Sequence, residues 1–293
     1  MSLLVHTSVE TITDNIPLAY FKKEYLKAQN HPNFRAYSMP NLFIAFQIAG
    51  ELAISIPRSP FGSFFTKRNT NSFDIFWNRI KEDLANEGVK HVEIRNPASI
   101  YDSFTKSEII KGLGFQILYS DLNQHISLNK NVAIHQMQER KLKALKNEGF
   151  EFKKMENSLL ETAHKFLTVC RQAQGLQINI SWEQLKKLNE QLPGVYECFG
   201  VFREEKISAL CITVKVTDSI AYYYLPGTSP MFRNQSPMVM LIDGMVQYYK
   251  EMRFEYLDMG VSSYEGKVQE TLKVFKERMG AEETEKITFT TYL

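Results

Sequence analysis

Residues 256–280 read YLDMGVSSYEGKVQETLKVFKERMG. A short apolar run ends at Asp258 and Gly260, a polar stretch follows, and the helical spacing of apolar residues continues up to Gly280. The pattern predicts a strand and then an amphipathic helix, with Lys276 at the border of the buried stripe. Gly260 can adopt backbone conformations that other residues avoid, and the Asp258 side chain can stabilise the following turn by a hydrogen bond to its backbone.

The same order of features occurs in the first half of the chain. There a strand ends in Glu93-Ile94-Arg95, a helix follows, and the next strand begins after Gly114. Glu93 and Gly114 are 21 positions apart, and Asp258 and Gly280 are 22 positions apart. An antiparallel meander, a Ser-Pro loop and a helix precede both segments. We therefore predict two copies of one α/β unit, residues 1–130 and 131–293, each with a mixed sheet and helices on both faces.

The composition is that of an ordinary globular protein, with 44% hydrophobic and 23% charged residues. The net charge of +2 produces no strong field over the whole molecule, so a basic site must be local. The three cysteines form no CxxC pair and the six histidines are scattered, so we propose no disulfide framework and no metal site. Without a signal-peptide pattern or a long apolar run, we expect a cytoplasmic protein.

The loop MFRNQSP, residues 231–237, precedes a predicted helix at 237–251. Asn234 or Ser236 can cap this helix, with Pro237 at its first position. The N-terminus of a helix attracts phosphate or carboxylate, and the guanidinium of Arg233 adds donors. The loop is therefore a candidate donor or phosphate site, formed by Arg233, Asn234, Gln235 and Ser236. The alternative is an ordinary capped helix with a surface arginine.

A second basic element is a predicted helix at 130–149. Its cations can bind a phosphate backbone or a nucleotide diphosphate, and they form a candidate acceptor or polyanion site. Alternatively they form a solvated helix face, offset by Glu139 and Glu148. The four cations are Arg140, Lys141, Lys143 and Lys146.

Three runs in the second half resemble the GNAT acyltransferase superfamily: CFGVFREEKISALCITVKVTDSIAYYYLPGTSP, SPMVMLIDGMVQYYKEMRFEYLDMGV and ETLKVFKERMGAE. The two-copy arrangement resembles the FemAB-like proteins, which make peptidoglycan bridges. In that group the second unit has a strand ending in Asp-x-Gly and a later FK-x-x-(F/M)-G turn. The matching residues are Asp258, Gly260, Phe275, Lys276 and Gly280.

The resemblance implies two tandem GNAT-like units and an acyltransferase that moves an acyl or aminoacyl group to an amine by direct attack. No covalently bound cofactor is implied, and the donor would be aminoacyl-tRNA or acyl-CoA.

The sequence departs from the family pattern at two places. MFRNQSP lacks the Arg/Gln-x-x-Gly-x-Gly/Ala loop of acyl-CoA-binding members, which fits the aminoacyl-tRNA donor of FemAB-like proteins. In the first unit the corresponding strand ends in Arg95 and not in the glycine of an Asp-x-Gly motif, which implies that the first copy is not catalytic.

Such a reaction needs a group that takes a proton from the amine and a charge that stabilises the carbonyl oxygen. Asp258 and Tyr224 are our candidates for the group that accepts the proton of the amine, and Lys276 is our candidate for the charge that stabilises the carbonyl oxygen. Asp258 can instead hold the following turn, Tyr224 can be a packing residue, and Lys276 can be a surface lysine whose stem lies on apolar surface.

Two other functions stay open. The first is an acyl-CoA-dependent N-acetyltransferase that acts on a small metabolite. The second is a GNAT-fold protein without catalysis that binds a ligand or a partner.

Overall fold

The computed structural model describes residues 3–12, 16–29, 33–56, 59–66, 72–102 and 107–293. The chain forms two compact units. The first contains residues 1–123, 263–268 and 284–293, and the second contains residues 124–262 and 269–283.

Both units mix strands and helices. The strands are β1 Leu4–His6, β2 Phe34–Met39, β3 Leu42–Ala49, β4 Leu52–Ser55, β5 Phe65–Thr66, β6 His91–Arg95, β7 Gln116–Ser127, β8 Phe150–Met155, β9 Tyr196–Arg203, β10 Lys206–Lys215, β11 Ile220–Thr228, β12 Tyr256–Val261, β13 Ser263–Tyr264, β14 Lys267–Val268 and β15 Glu282–Tyr292. The α-helices are α1 Lys23–Gln29, α2 Phe73–Asn86, α3 Ser107–Gly112, α4 Gln136–Asn147, α5 Leu160–Gln172, α6 Trp182–Gln191, α7 Met238–Glu251 and α8 Glu270–Arg278. The predicted mixed α/β class is confirmed.

In the first unit the strand order is β1-β2-β3-β4-β6-β15. The strands β4 and β6 are parallel, and β6 and β15 are antiparallel. The helix α2 buries the apolar face that its 3.6-residue period predicts, and Trp77 on that face packs against Phe64 and Phe115. This face and the sheet form the core of the unit.

In the second unit the order is β7-β12-β11-β10-β9-β8. An antiparallel meander of β9, β10 and β11 precedes α7, and α7 leads to β12, which is parallel to β11. The helix α7 is apolar around most of its surface, and it packs with the basic helix α4 into one hydrophobic core. Thus each unit repeats a meander, a helix and a parallel strand, in the order that the sequence predicts.

The compact units differ from a division of the sequence at residue 130: residues 124–130 group with the second unit, and residues 263–268 and 284–293 group with the first. Residues 284–293 group with the first unit because Thr288–Tyr292 of β15 pair with His91–Arg95 of β6. This pairing joins segments almost 200 positions apart, so no local pattern in the sequence announces it.

The parallel pair of the first unit stops at Ile54 and Glu93. Beyond that point the backbone of Gly62 lies between the two strands: its N–H donates to the Arg95 carbonyl at 2.8 Å, and its carbonyl accepts from the Ser55 hydroxyl at 2.8 Å. The Arg95 N–H donates in turn to the Ser55 hydroxyl at 3.0 Å. The protein's own chain therefore fills the space that opens where β4 and β6 separate.

None of the helices in the described ranges has the length and hydropathy needed to cross a membrane. The same ranges contain no group of three or more His, Cys, Asp or Glu side chains that could hold a metal ion.

One close approach fixes the packing of α7. A Cβ added at Gly244 would lie 2.3 Å from ring carbons of Phe152 on β8, far inside van der Waals contact, and that ring stacks on Phe199 at 5.8 Å. We expect Gly244→Ala to destabilise the protein, although alanine favours a helix by about 1 kcal/mol over glycine. Overpacking of this kind costs about 1–3 kcal/mol. Chemical denaturation of the wild type and Gly244→Ala measures the difference between their free energies of unfolding.

Gly112→Ala is the matched control, because a Cβ at this helical glycine meets nothing within 4 Å. It should leave stability unchanged or raise it. Equal effects of the two substitutions would contradict the close contact between α7 and β8.

Candidate active site

The candidate site lies in the second unit, where β11 and β12 separate. These parallel strands pair at only three positions, and the last pair is Tyr222 with Asp258. Beyond it β11 continues along β10, with a register shift that leaves Tyr224 without a partner in β10. Crevices at the carboxyl ends of parallel strands are the usual ligand sites of α/β sheets, and a bulge re-aims the side chains beside it.

Asp258 and Gly260 form the floor of this crevice. Asp258 is 3% exposed, and its Oδ1 accepts a hydrogen bond from the Gly260 N–H at 2.9 Å. Gly260 has φ +71°, and a Cβ there would lie 3.1 Å from the Tyr222 hydroxyl. The glycine is thus required both by its backbone conformation and by the approach of the tyrosine. Asp258 holds the turn, as one of our two interpretations predicts.

Lys276 reaches the same turn from α8. Its Nζ donates to the carbonyls of Gly260 and Val261, both at 2.9 Å, and the residue is only 3% exposed. Burial lowers the pKa of Lys276 to about 8, although the Asp258 charge acts to raise it. The alternative of a surface lysine is therefore wrong. An ammonium has three N–H donors, so one stays available beside two carbonyls.

The buried stripe predicted for this helix needs a correction. The predicted stripe consists of Val268, Leu272, Phe275 and Met279. Met279 is buried and Phe275 packs against the core, but Val268 and Leu272 are 43% and 37% exposed, and Lys276 is the buried residue of α8. The reason is that α8 begins only at Glu270, after the short strand β14, and turns its polar lysine toward the end of β12.

Two tyrosines lie on the β11 side of the crevice. The rings of Tyr222 and Tyr224 are 6.2 Å apart, and both side chains are half-buried. Burial raises the pKa of Tyr224 to about 12, and burial together with Asp258 raises the pKa of Tyr222. Both phenols keep their protons at neutral pH, so they are suited to donate hydrogen bonds. Tyr223 lies in the hydrophobic core instead.

His125, one of the six scattered histidines, is near enough to Asp258 to interact with its charge. It is 6% exposed, its ring packs edge-on against Tyr256 at 5.3 Å, and its Nδ1 is buried with no hydrogen-bond partner. Burial lowers the pKa of His125, although Asp258 and Glu282 act to raise it. The imidazole is therefore neutral at pH 7. No spacing or motif in the sequence marks this residue.

The predicted phosphate loop forms a short 3-10 helix, Pro230–Gln235, just before α7. Arg233 and Asn234 are exposed, and Gln235 and Ser236 are half-buried. The predicted cap is wrong: α7 has no side-chain cap, Pro237 occupies the N-cap position, and Ser236 adopts a left-handed conformation with φ 59°. The N-cap residue thus supplies no side-chain acceptor, and the Val239 N–H donates to the Ser236 carbonyl at 3.0 Å. The positive end of the helix still favours an anion nearby.

The structure brings part of the basic helix to this loop. Lys141 of α4 donates from Nζ to the Ser236 hydroxyl at 3.2 Å. Lys146 lies near Asp243 of α7, where burial raises the pKa of the Asp243 carboxyl and Lys146 acts to lower it. Arg140 and Lys143 are exposed and form no ion pair with any residue in the described ranges. Of the four predicted cations, Lys141 is thus half-buried and hydrogen-bonded to the loop, Lys146 is exposed and acts on Asp243 through its charge, and Arg140 and Lys143 face solvent.

The buried ammonium gives a prediction about pH. The pKa of Lys276 is about 8 in the folded protein and near 10.5 when unfolded, so between these values the unfolded chain binds more protons. The free energy of unfolding should therefore rise with pH across this range. In Lys276→Met this contribution should be missing, as denaturant titrations at pH 7.5, 9 and 10.5 will measure.

Lys187→Met, at an exposed lysine of α6, controls for the loss of one charge. If the free energies of unfolding of the wild type and of Lys276→Met change in parallel between pH 8 and 10.5, burial does not lower the pKa of the Lys276 ammonium as described.

Comparisons with known proteins concern the fold and the family of the second unit. Residues 136–268 match the family model "Acetyltransferase (GNAT) domain". We find no significant match among curated proteins. The FemX crystal structure matches with a TM-score of 0.67 and 14% identity, covering 100% of this chain and 98% of that one.

Two further structures have the same fold. One is the C-terminal domain of a putative lysylphosphatidylglycerol synthetase from Agrobacterium fabrum, with a TM-score of 0.63, 14% identity, and coverage of 85% of this chain and 81% of that one. The other is L-PGS from Bacillus licheniformis, with a TM-score of 0.61, 13% identity, and coverage of 85% and 80%. The predicted resemblance is confirmed: residues 136–268 match the GNAT acetyltransferase domain model, and the chain is similar in fold to FemX along its whole length.

Proposed function

We propose that this protein transfers an acyl or aminoacyl group from a phosphate-bearing donor to an amine in the crevice of the second unit. The observation that carries the proposal is the convergence of Lys276, Asp258 and two protonated tyrosines where β11 and β12 separate. The GNAT domain match over 136–268 supports acyl transfer as the class of reaction.

The groups at the crevice suit direct attack of an amine on a carbonyl. As the attack proceeds, the carbonyl oxygen gains negative charge, and donors already in place stabilise it. Lys276 supplies a cation that two carbonyls hold in position, and the phenols of Tyr222 and Tyr224 supply neutral donors. Asp258 keeps the turn and the ammonium in place, and it is our candidate to take the proton of the amine.

The donor's phosphates would lie at the start of α7. Arg233 and Lys141 flank that helix end, and the exposed Arg140 and Lys143 extend the positive charge along α4. Cations on two neighbouring elements suit a polyanion, and on this ground we favour aminoacyl-tRNA as the donor. The second candidate is acyl-CoA, which the acetyltransferase family match favours. The missing glycine-rich loop counts against acyl-CoA.

The first unit would be non-catalytic. It has Arg95 in the position that Gly260 has in the second unit, and the backbone of Gly62 fills the space between β4 and β6.

Transfer assays with purified protein test the proposal. Donors are labelled aminoacyl-tRNA, acetyl-CoA and longer acyl-CoAs, and amine acceptors are small amines and a UDP-linked muropeptide. We expect transfer from one donor class, and Lys276→Met should lower kcat by about 10²–10³-fold, the effect of removing one oxyanion donor. Lys187→Met, outside the crevice, should retain full activity. Ligand binding without transfer would favour a non-catalytic protein.

The salt dependence of donor binding separates the two donors. If tRNA is the donor, log K should fall linearly with log salt concentration, and each lost phosphate contact should reduce the slope by about 0.7–0.9. Arg233→Ala and Lys143→Ala should each weaken binding and reduce the slope, and kcat should change little. For acyl-CoA, Lys143→Ala should have no effect. Filter binding between 50 and 300 mM salt measures this, with Lys187→Ala as the control.

A further inference from the structure

A row of side chains crosses the sheet of the second unit, from the candidate site on β12 to the strand β9. Residues that pair across neighbouring strands point to the same face of a sheet. Val214 of β10 pairs with one residue in β9 and one in β11, and the β11 residue pairs in turn with Asp258. Neighbouring strands lie about 4.8 Å apart, so the row is about 14 Å long. Its members are Tyr196, Val214, Tyr222 and Asp258.

This row points away from α7 and has its charge at one end. Glu197, next to Tyr196 in β9, faces α7, where its carboxylate accepts a hydrogen bond from the Tyr249 hydroxyl at 3.0 Å. Successive residues of a strand point to opposite faces, so Tyr196 faces the other way. Asp258 is the charged member of the row, and it lies at the β12 end. The β9 end of the row therefore offers an uncharged surface.

Three tyrosine hydroxyls line the row. Tyr224 joins it from the register shift in β11: its ring lies 6.2 Å from the ring of Tyr222, and Tyr224 together with burial raises the pKa of Tyr196. Tyr196 is only 2% exposed. Even so, none of the three hydroxyls bonds to a residue in the described ranges, and none of them is fully enclosed. They therefore border a space that water or a ligand can enter.

We propose that Tyr196 determines which group is transferred, by a hydrogen bond to a hydroxyl on the side chain of an uncharged acyl or aminoacyl group. This role rests on the proposed function, which places the reacting carbonyl beside Lys276 and Tyr222. From there the row leads past Tyr224 to Tyr196.

The chemistry of the β9 end favours a hydroxyl over the alternatives. A hydroxyl both donates and accepts, as the phenol of Tyr196 does. A charged group would lose its hydration there without gaining an opposite charge. An apolar group would displace water from the Tyr196 hydroxyl and leave it without a hydrogen-bond partner, which costs free energy. A site of this kind selects against analogues that lack the hydroxyl.

The test compares donors that differ only by a hydroxyl in place of a methyl group: threonyl-tRNA with valyl-tRNA, and 3-hydroxybutyryl-CoA with 3-methylbutyryl-CoA. In the donor class that supports transfer, we expect kcat/KM to be at least about tenfold higher for the hydroxyl donor. Tyr196→Phe removes the phenol oxygen and keeps the ring. It should bring the two kcat/KM values close together by slowing transfer from the hydroxyl donor alone.

Tyr223→Phe is the matched control. The Tyr223 hydroxyl donates to the Met238 sulfur at 2.8 Å in the core beside α7, so its loss should leave the ratio of the two kcat/KM values unchanged. Equal values for both donors in the wild type, or higher values for the methyl donor, would overturn the proposal. An equal loss for both donors in Tyr196→Phe would also overturn it, because a purely structural role has that effect.

A binding measurement separates failure of this proposal from failure of the proposed function. If the wild type transfers no group from any donor, the proposed function fails. The role of Tyr196 is then decided by titrating protein with ¹³C-labelled tyrosine rings with N-acetylthreoninamide and with N-acetylvalinamide. The Tyr196 resonance, assigned by its absence in Tyr196→Phe, should shift saturably at millimolar concentrations of the threonine compound and less with the valine compound. Equal shifts with both compounds, or none with either up to about 50 mM, would contradict the proposal.

Discussion

The strands β11 and β12 stop pairing at Tyr222 and Asp258, and this determines which polar groups gather at the candidate site of the second unit. Both strands continue past the Tyr222–Asp258 pair, but they no longer share hydrogen bonds. The backbone groups freed in this way need other partners. On the β12 side the partners are the Asp258 carboxylate, which accepts from Gly260, and the Lys276 ammonium, which donates to two carbonyls. The polar groups of the crevice therefore follow from one structural requirement.

Lys276 illustrates how a structural role and a chemical role can share one side chain. A buried ammonium is unfavourable unless it is hydrogen-bonded and near an opposite charge. The strand-end carbonyls and Asp258 meet both conditions. Because those partners are fixed, the cation is held without rearrangement, which is what electrostatic stabilisation of a developing oxyanion requires. In the first unit the corresponding strand end is closed by the backbone of Gly62.

Much of the fold could be predicted because its signals are local. A 3.6-residue period of apolar residues is present in the sequences of α2 and α7, and the repeated order of elements indicated the mixed sheets. The burial of Lys276 could not be predicted, since it depends on where α8 begins relative to β12. The left-handed Ser236 and the buried His125 are also products of tertiary packing. Side-chain roles at a site thus depend on contacts between distant segments, which periodicity does not encode.

The placement of β15 has a consequence for how the chain matures. Residues 284–293 complete the sheet of the first unit, yet the ribosome makes them after the whole of residues 124–262. The second unit can form its meander and α7 from contiguous chain while translation continues. Until β15 has been synthesised, one side of β6 in the first unit stays unpaired. A free strand edge of this kind can pair with other chains. The order of synthesis is therefore opposite to the order in which the two sheets can be completed.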